Sequence, residues 1–138
     1  SVDIKKKGLT VETHLEDDKM TSDEEHIYYI LSNLISNAIK FASKSGNVRI
    51  SAIKKWIDHI NYCVISVFNT GKNIPEKEIP KIFEPFYQAE NQEKSGISGV
   101  GLGLYIVKRS VEILKGKIEV NNWDDGVEFI VYIPEVIT

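Results

Sequence analysis

Between residues 27 and 42, eight apolar side chains recur at the spacing of one helix face: Ile27, Ile30, Leu31, Leu34, Ile35, Ala38, Phe41 and Ala42. A stripe at i, i+3, i+4 and i+7 is the signature of an amphipathic helix, which must bury that side against another layer. Thr21 or Ser22 can cap its start, with Glu24 or Glu25 completing a capping box. Gly46 is a plausible stop. Asn33, Asn37 and Lys40 form a second stripe that borders the apolar face. Asparagine is a mediocre helix former, so two in one helix cost something. Solvent-facing positions would explain them. So would a charged ligand, because amide oxygens suit a hard cation and lysine neutralises phosphate. His26 and Tyr29 continue this stripe as surface or rim residues.

The neighbouring segments supply the other layer. Leu9 to Leu15 alternates as an edge strand. Strands are expected near Val48–Lys54 and Tyr62–Phe68, with Trp56 to Asn61 as the hairpin loop between them. Short helical pieces are expected around Glu76–Phe83. A second helix should run from Gly101 or Leu102 to about Leu114. Lys117–Trp123 and Val127–Ile133 then read as strands joined tightly through Asp124-Asp125-Gly126. Hairpins with helices on one face imply an α+β two-layer sandwich.

At 138 residues the chain is expected to be a single domain with a real core. No apolar run approaches a membrane span, and nothing at Ser1 resembles a signal peptide. A formal net charge of −3 weighs against a general nucleic-acid binder. Cys63 is the lone cysteine and lies in a strand pattern, so it reads as a buried small hydrophobe. It supports neither an internal disulfide nor a cysteine metal site, and it is compatible with a reducing compartment.

Three further segments carry chemical information. Gly99-Val100-Gly101-Leu102-Gly103-Leu104 places bare backbone before a helix, a natural phosphate cradle. It lacks the Gly-Lys-Ser/Thr ending of a P-loop and the spacing of a dinucleotide fingerprint. Asn69-Thr70-Gly71-Lys72-Asn73-Ile74-Pro75 puts a polar side chain at a strand end, followed by a turn. Phe83-Glu84-Pro85-Phe86 offers paired aromatics, either a satellite core or the anchor of a moving lid.

In this order the segments resemble the ATP-binding catalytic domain of bacterial sensor histidine kinases, within the GHKL ATPases. The resemblance covers about Leu9 to Pro134. Asn33 to Phe41 resembles the N box, Asn69 to Pro75 the G1 box, Phe83 to Phe86 the F box and Gly99 to Leu104 the G2 box. It implies one catalytic domain over residues 1–138, with a mixed sheet of about five strands and about three helices on one face. It also implies ATP and Mg²⁺ as ligands. Asn37 would contact the metal, Asn33 would lie beside it, and Lys40 would meet phosphate. Asn69 would accept from the adenine amino group, with Gly71, Asn73 and Ile74 in the same nucleotide-binding turn. Gly99, Gly101, Leu102, Gly103 and Leu104 would wrap the phosphates. Residues 88–101 would form the lid, tied to nucleotide occupancy by Phe83 and Phe86.

The implied reaction is transfer of the γ-phosphoryl group to a histidine. His14, His26 and His59 lack the acidic helical context of a phospho-acceptor, so the acceptor is expected in a separate dimerisation domain. The implied partners are that domain and a downstream response regulator, with no nucleic acid and no direct membrane contact. The isolated domain is expected to be a cytoplasmic monomer, whether or not the parent kinase is anchored in the inner membrane. Two other readings remain: a nucleotide-binding pseudokinase, or another GHKL member such as an anti-sigma serine kinase or an ATPase. Those members usually carry glutamate where Asn33 stands.

Two G1 positions depart from the common Asp-x-Gly-x-Gly pattern. Asn69 keeps an oxygen acceptor without charge, which implies adenine recognition weaker by about 1 kcal/mol. Asn73 replaces the second glycine. If the turn needs positive φ there, asparagine is among the least costly substitutes.

Overall fold

A computed structural model of the chain describes residues 2–16, 24–87 and 102–135. The described elements are α1 (Val2–Lys7), β1 (Thr10–Leu15), α2 (Glu24–Phe41), β2 (Asn47–Ile57), β3 (Ile60–Thr70), α3 (Gly103–Ile113), β4 (Lys117–Trp123) and β5 (Gly126–Pro134). The strands form one sheet in the order β1-β2-β3-β5-β4. Only β1 and β2 run parallel; the other pairs are antiparallel. The sheet is therefore mixed, as expected, with α2 as the crossover between its parallel strands.

One face of the sheet is apolar because alternate strand residues point to it. Val48 and Ile50 of β2, Ile65 and Val67 of β3, and Phe129, Val131 and Ile133 of β5 are buried there. Ile30, Leu34 and Ala38 of α2, with Val107 and Val111 of α3, close the same core. This face fixes both helices and hence everything they carry. Acidic Glu24 and Glu25 in the first turn of α2 suit its dipole. The caps expected at Thr21 and Ser22 lie outside the described residues.

The other sheet face is polar and aromatic. The Arg49 guanidinium stacks 4.1 Å from the Phe68 ring centre. Glu128 accepts hydrogen bonds from Ser66 Oγ at 2.5 Å and Trp123 Nε1 at 2.9 Å. Phe68 is thereby buried despite facing away from the helices.

Three expectations change. The Trp56–Asn61 loop does not exist: Trp56 pairs with Asn61 and Ile57 with Ile60. Asp58 and His59 alone turn the chain, at φ of 48° and 69°. Two left-handed residues match the twist of the flanking strands, so the hairpin needs no longer loop. Residues 76–86 form a succession of turns rather than a helix. Their bonds are mostly to the third residue back, Glu78 N to Pro75 O, Lys81 N to Glu78 O and Glu84 N to Lys81 O, with a single α-type bond from Ile82 N to Glu78 O, so no α-helix is sustained. Helix α1 was not expected; its six residues carry too little periodicity to be read. All six β1 residues are exposed, so its alternation does not mark a half-buried face.

Candidate functional site

Helix α2 supplies one wall. Asn33, Asn37 and Lys40 are all half-buried, at the margin of the core rather than in open solvent. Asn33 Nδ2 donates to the Tyr29 carbonyl at 2.8 Å. Its Oδ1 faces the start of α3, where a Cβ built on Gly103 would lie 3.3 Å away. Burial pushes the Lys40 ammonium below the ordinary lysine value. A partly desolvated cation gains more from a nearby anion than a hydrated one does.

The start of α3 is chemically bare. Leu102 occupies the N-cap without a side-chain cap bond, and no acidic residue stands in the first turn. The leading N–H groups and the helix dipole are therefore directed at whatever sits beside Asn33. Gly103 allows the approach of the two helices, and Leu104 packs at the edge of the core. Gly99 and Gly101, with the expected lid at 88–101, lie outside the described residues.

The second wall is built at the end of β3. Asn69 is a buried polar residue, only 4% exposed. Its Nδ2 donates to the Thr70 carbonyl at 3.0 Å. That bond orients the amide and leaves Oδ1 as an acceptor with no partner among the described residues. Gly71 then turns at φ 152°, and a Cβ there would lie 2.7 Å from the Phe41 carbonyl. Ser43 N donates to the Thr70 carbonyl at 2.9 Å. The turn is thus pressed against the end of α2 that carries Lys40.

Asn73 has a different job from the one its sequence position suggested. It is not among the described non-glycine residues with positive φ, which are Ser45, Asp58, His59, Phe86 and Lys115. Its Nδ2 donates to the carbonyls of Trp123 at 2.9 Å and Gly126 at 3.0 Å. Asn122 completes the staple: its Oδ1 accepts from Ile74 N at 3.0 Å and its Nδ2 donates to Ile74 O at 2.8 Å. With Gly71 N donating to the Asp125 carbonyl at 3.1 Å, five bonds therefore hold the turn to the β4–β5 hairpin. Gly126 is required by contact, since a Cβ there would lie 2.1 Å from the Asn69 carbonyl. Sequence reasoning missed Asn122 and Gly126; the only signal was the Asp-Asp-Gly hairpin.

Phe83 and Phe86 part company. Phe83 meets Phe129 edge-on at 6.4 Å between ring centres, with Lys108 5.5 Å over its face. Phe86 is 71% exposed at φ 67°. A groove of about 900 Å³ opens on the opposite sheet face and includes neither phenylalanine, though Asn122 lines it. Among the described residues no group of three or more His, Cys, Asp or Glu side chains could hold a metal. A magnesium ion suits such a site all the same, because it takes one or two protein oxygens and completes its shell with phosphate and water. Half-buried Asn37 carries an amide oxygen of that kind.

The model of the histidine kinase-, DNA gyrase B- and HSP90-like ATPases, HATPase_c, matches residues 22–137. The chain belongs to this family. The HATPase_c chain is 36% identical over 123 residues to the autoinducer 2 sensor kinase/phosphatase LuxQ of Vibrio vulnificus, covering 86% of this chain and 14% of LuxQ. It thus spans about one seventh of that relative. The catalytic domain of the histidine kinase ThkA superposes with a TM-score of 0.79 at 31% identity, covering 97% of this chain and 84% of that one. ThkA is also known in complex with the response regulator TrrA, where the likeness has a TM-score of 0.71 at 28% identity and covers 98% and 36%. Full-length ShkA in complex with AMPPNP gives 0.80 at 29% identity, covering all of this chain and 28% of ShkA. The homologues are sensor histidine kinases, and the HATPase_c fold here is that of their catalytic domains. No described helix is long and apolar enough to cross a membrane.

Proposed function

We propose that this HATPase_c chain binds Mg-ATP and places the γ-phosphoryl group for transfer to a histidine nitrogen of a separate domain. The observation that carries the reading is the uncapped start of α3 held against Asn33 of α2, with the partly desolvated Lys40 two turns further along that helix. An anion belongs there on electrostatic grounds. ATP would supply the phosphoryl group. Asn37 would hold Mg²⁺, whose charge would offset that of the phosphates. Lys40 and the N–H groups from Leu102 to Leu104 neutralise phosphate charge. Asn69 Oδ1 accepts from the adenine amino group, inside a wall kept in shape by Gly71, Asn73 and Ile74. In the transfer, the histidine nitrogen lone pair forms the N–P bond as the bond to the β-γ bridging oxygen breaks. ADP leaves, and the displaced imidazole proton goes to solvent. Such reactions depend mainly on positioning and charge neutralisation.

The partners proposed are the histidine-bearing dimerisation domain and a response regulator. ThkA with TrrA supports the response regulator by likeness, and ShkA with AMPPNP supports the nucleotide. The proposed location is cytoplasmic. Both G1 asparagines make hydrogen bonds that build the pocket wall, which weighs against a degenerate pseudokinase site. An amide at position 33 cannot take a proton from water, which weighs against a free-standing ATPase. Calorimetry with ATP, with and without Mg²⁺, tests the binding; Asn37→Ala should remove the magnesium dependence. Transfer of labelled phosphate from ATP to a supplied histidine domain tests the reaction. Rapid ATP hydrolysis by the chain alone would overturn it.

A further inference from the structure

The C-terminal end of α2 is finished by a residue from a distant part of the chain. Helix α1 ends at Lys7 and Gly8, with Gly8 at φ 65° and Leu9 N donating to the Ile4 carbonyl at 3.0 Å. This ending aims the Lys7 side chain across to α2. Its ammonium donates to the carbonyls of Ile39 at 3.0 Å, Lys40 at 2.5 Å and Ala42 at 3.2 Å. A lysine ammonium has three donors, and all three are used. The last carbonyls of a helix have no partner within it, and the dipole makes that end negative. Lys7 answers both needs from more than thirty residues away in sequence. The Lys7 carbonyl in turn accepts from Ser45 N at 2.6 Å, so the strand-ward exit of α2 is gripped as well.

One of the three carbonyls belongs to Lys40 itself. We infer that Lys7 is a positioning residue for the phosphate side of the nucleotide site, acting through the last turn of α2 to fix where Lys40 stands. The inference rests on the ATP reading above. Without the clamp, three helix-end carbonyls must find water, the last turn frays, and the Lys40 side chain loses its fixed origin. The opposite wall, at Asn69, touches the same end of α2 through Phe41 and Ser43, but the Asn73 and Asn122 bonds to the β4–β5 hairpin hold it in place independently. The loss should therefore fall on the phosphates and spare the base.

Calorimetry on the whole chain with ATP and with adenosine separates these effects. Lys7→Met should weaken ATP about tenfold and adenosine less than about twofold. Lys7→Arg, which keeps a cation at the helix end, should recover most of the ATP affinity. If the methionine variant does not fold, Lys7→Gln carries the same expected ratio. In a Lys40→Met background, Lys7→Met should cost little further ATP affinity although melting temperature still falls. Equal loss of ATP and adenosine, or unchanged ATP affinity in a destabilised variant, would overturn the inference. A parent chain that binds no ATP would instead defeat the ATP reading on which it rests.

Discussion

Asn33 Oδ1 and Gly103 meet so closely that a single methyl group on the glycine would stand 3.3 Å from the oxygen. Asn33 cannot simply swing away, because its Nδ2 is bound to the Tyr29 carbonyl at 2.8 Å. Gly103→Ala should gain roughly 0.5–1 kcal/mol of helix propensity and give much of it back in this contact. Melting temperature should therefore change little. ATP affinity should fall by about threefold to tenfold as α3 shifts from Asn33. Calorimetry beside a thermal melt checks both halves.

Asn69→Asp sets two effects against each other. A carboxylate would strengthen the bond to the adenine amino group by about 1 kcal/mol. It would also lose the donor now bound to Thr70 O at 3.0 Å and set oxygen against oxygen in a buried place. Ser43 N still donates to that carbonyl at 2.9 Å, but burying a charged carboxylate against it costs more than the strengthened adenine bond returns, so the second effect wins for stability. The variant should melt lower and bind ATP no tighter than the parent. An affinity gain of about tenfold would show that the carboxylate finds another orientation.

Asn73→Gly restores the residue common in relatives at that turn, yet should destabilise. It removes the bonds to Trp123 O and Gly126 O. The Trp123 bond is exposed and the Gly126 bond half-buried, so the net loss is about 1 kcal/mol, or roughly 4 °C in a domain this size. Thermal denaturation followed by circular dichroism reads this directly. A higher melting temperature would mean that the glycine is the better residue here.

Tyr87 donates its phenolic hydrogen to Glu78, and this bond, followed by desolvation and the nearby charge of Glu78 and Glu84, lifts its pKa to about 12. The raised value means that the fold favours the protonated phenol. Its contribution to stability is complete below the ordinary tyrosine value near 10 and is lost as the pH rises through about 12. Ultraviolet difference titration of the parent against Glu78→Gln should show one tyrosine ionising earlier in the variant. Superimposable curves would rule the bond out in solution.

The α2 and α3 core was legible because period 3.6 is a strong signal and both helices bury one stripe. Strands β4 and β5 were legible because Asp-Asp-Gly marks a tight turn between alternating residues. The Trp56–Asn61 hairpin was misread because Trp, His and Ile look like loop decoration until Asp58 and His59 are seen to be left-handed. For the proposed site, the shared stripe is what singled out Asn33, Asn37 and Lys40, and all three are half-buried. Asn122 was not, because its partner Ile74 is distant in sequence and the bonds go to backbone atoms. Lys7 escaped for the same reason: a backbone carbonyl carries no sequence signature.

Strand β1 sits at an edge of the sheet, bonded on one side only and exposed along all six residues. Its opening costs few apolar contacts, whereas β3 lies between two strands under α2. Amide protons from Val11 to Leu15 should therefore exchange with solvent through local excursions, while those of Ile65 and Val67 wait for global unfolding. The chain carries a graded record of its own opening, and deuterium would read it from the β1 edge inward.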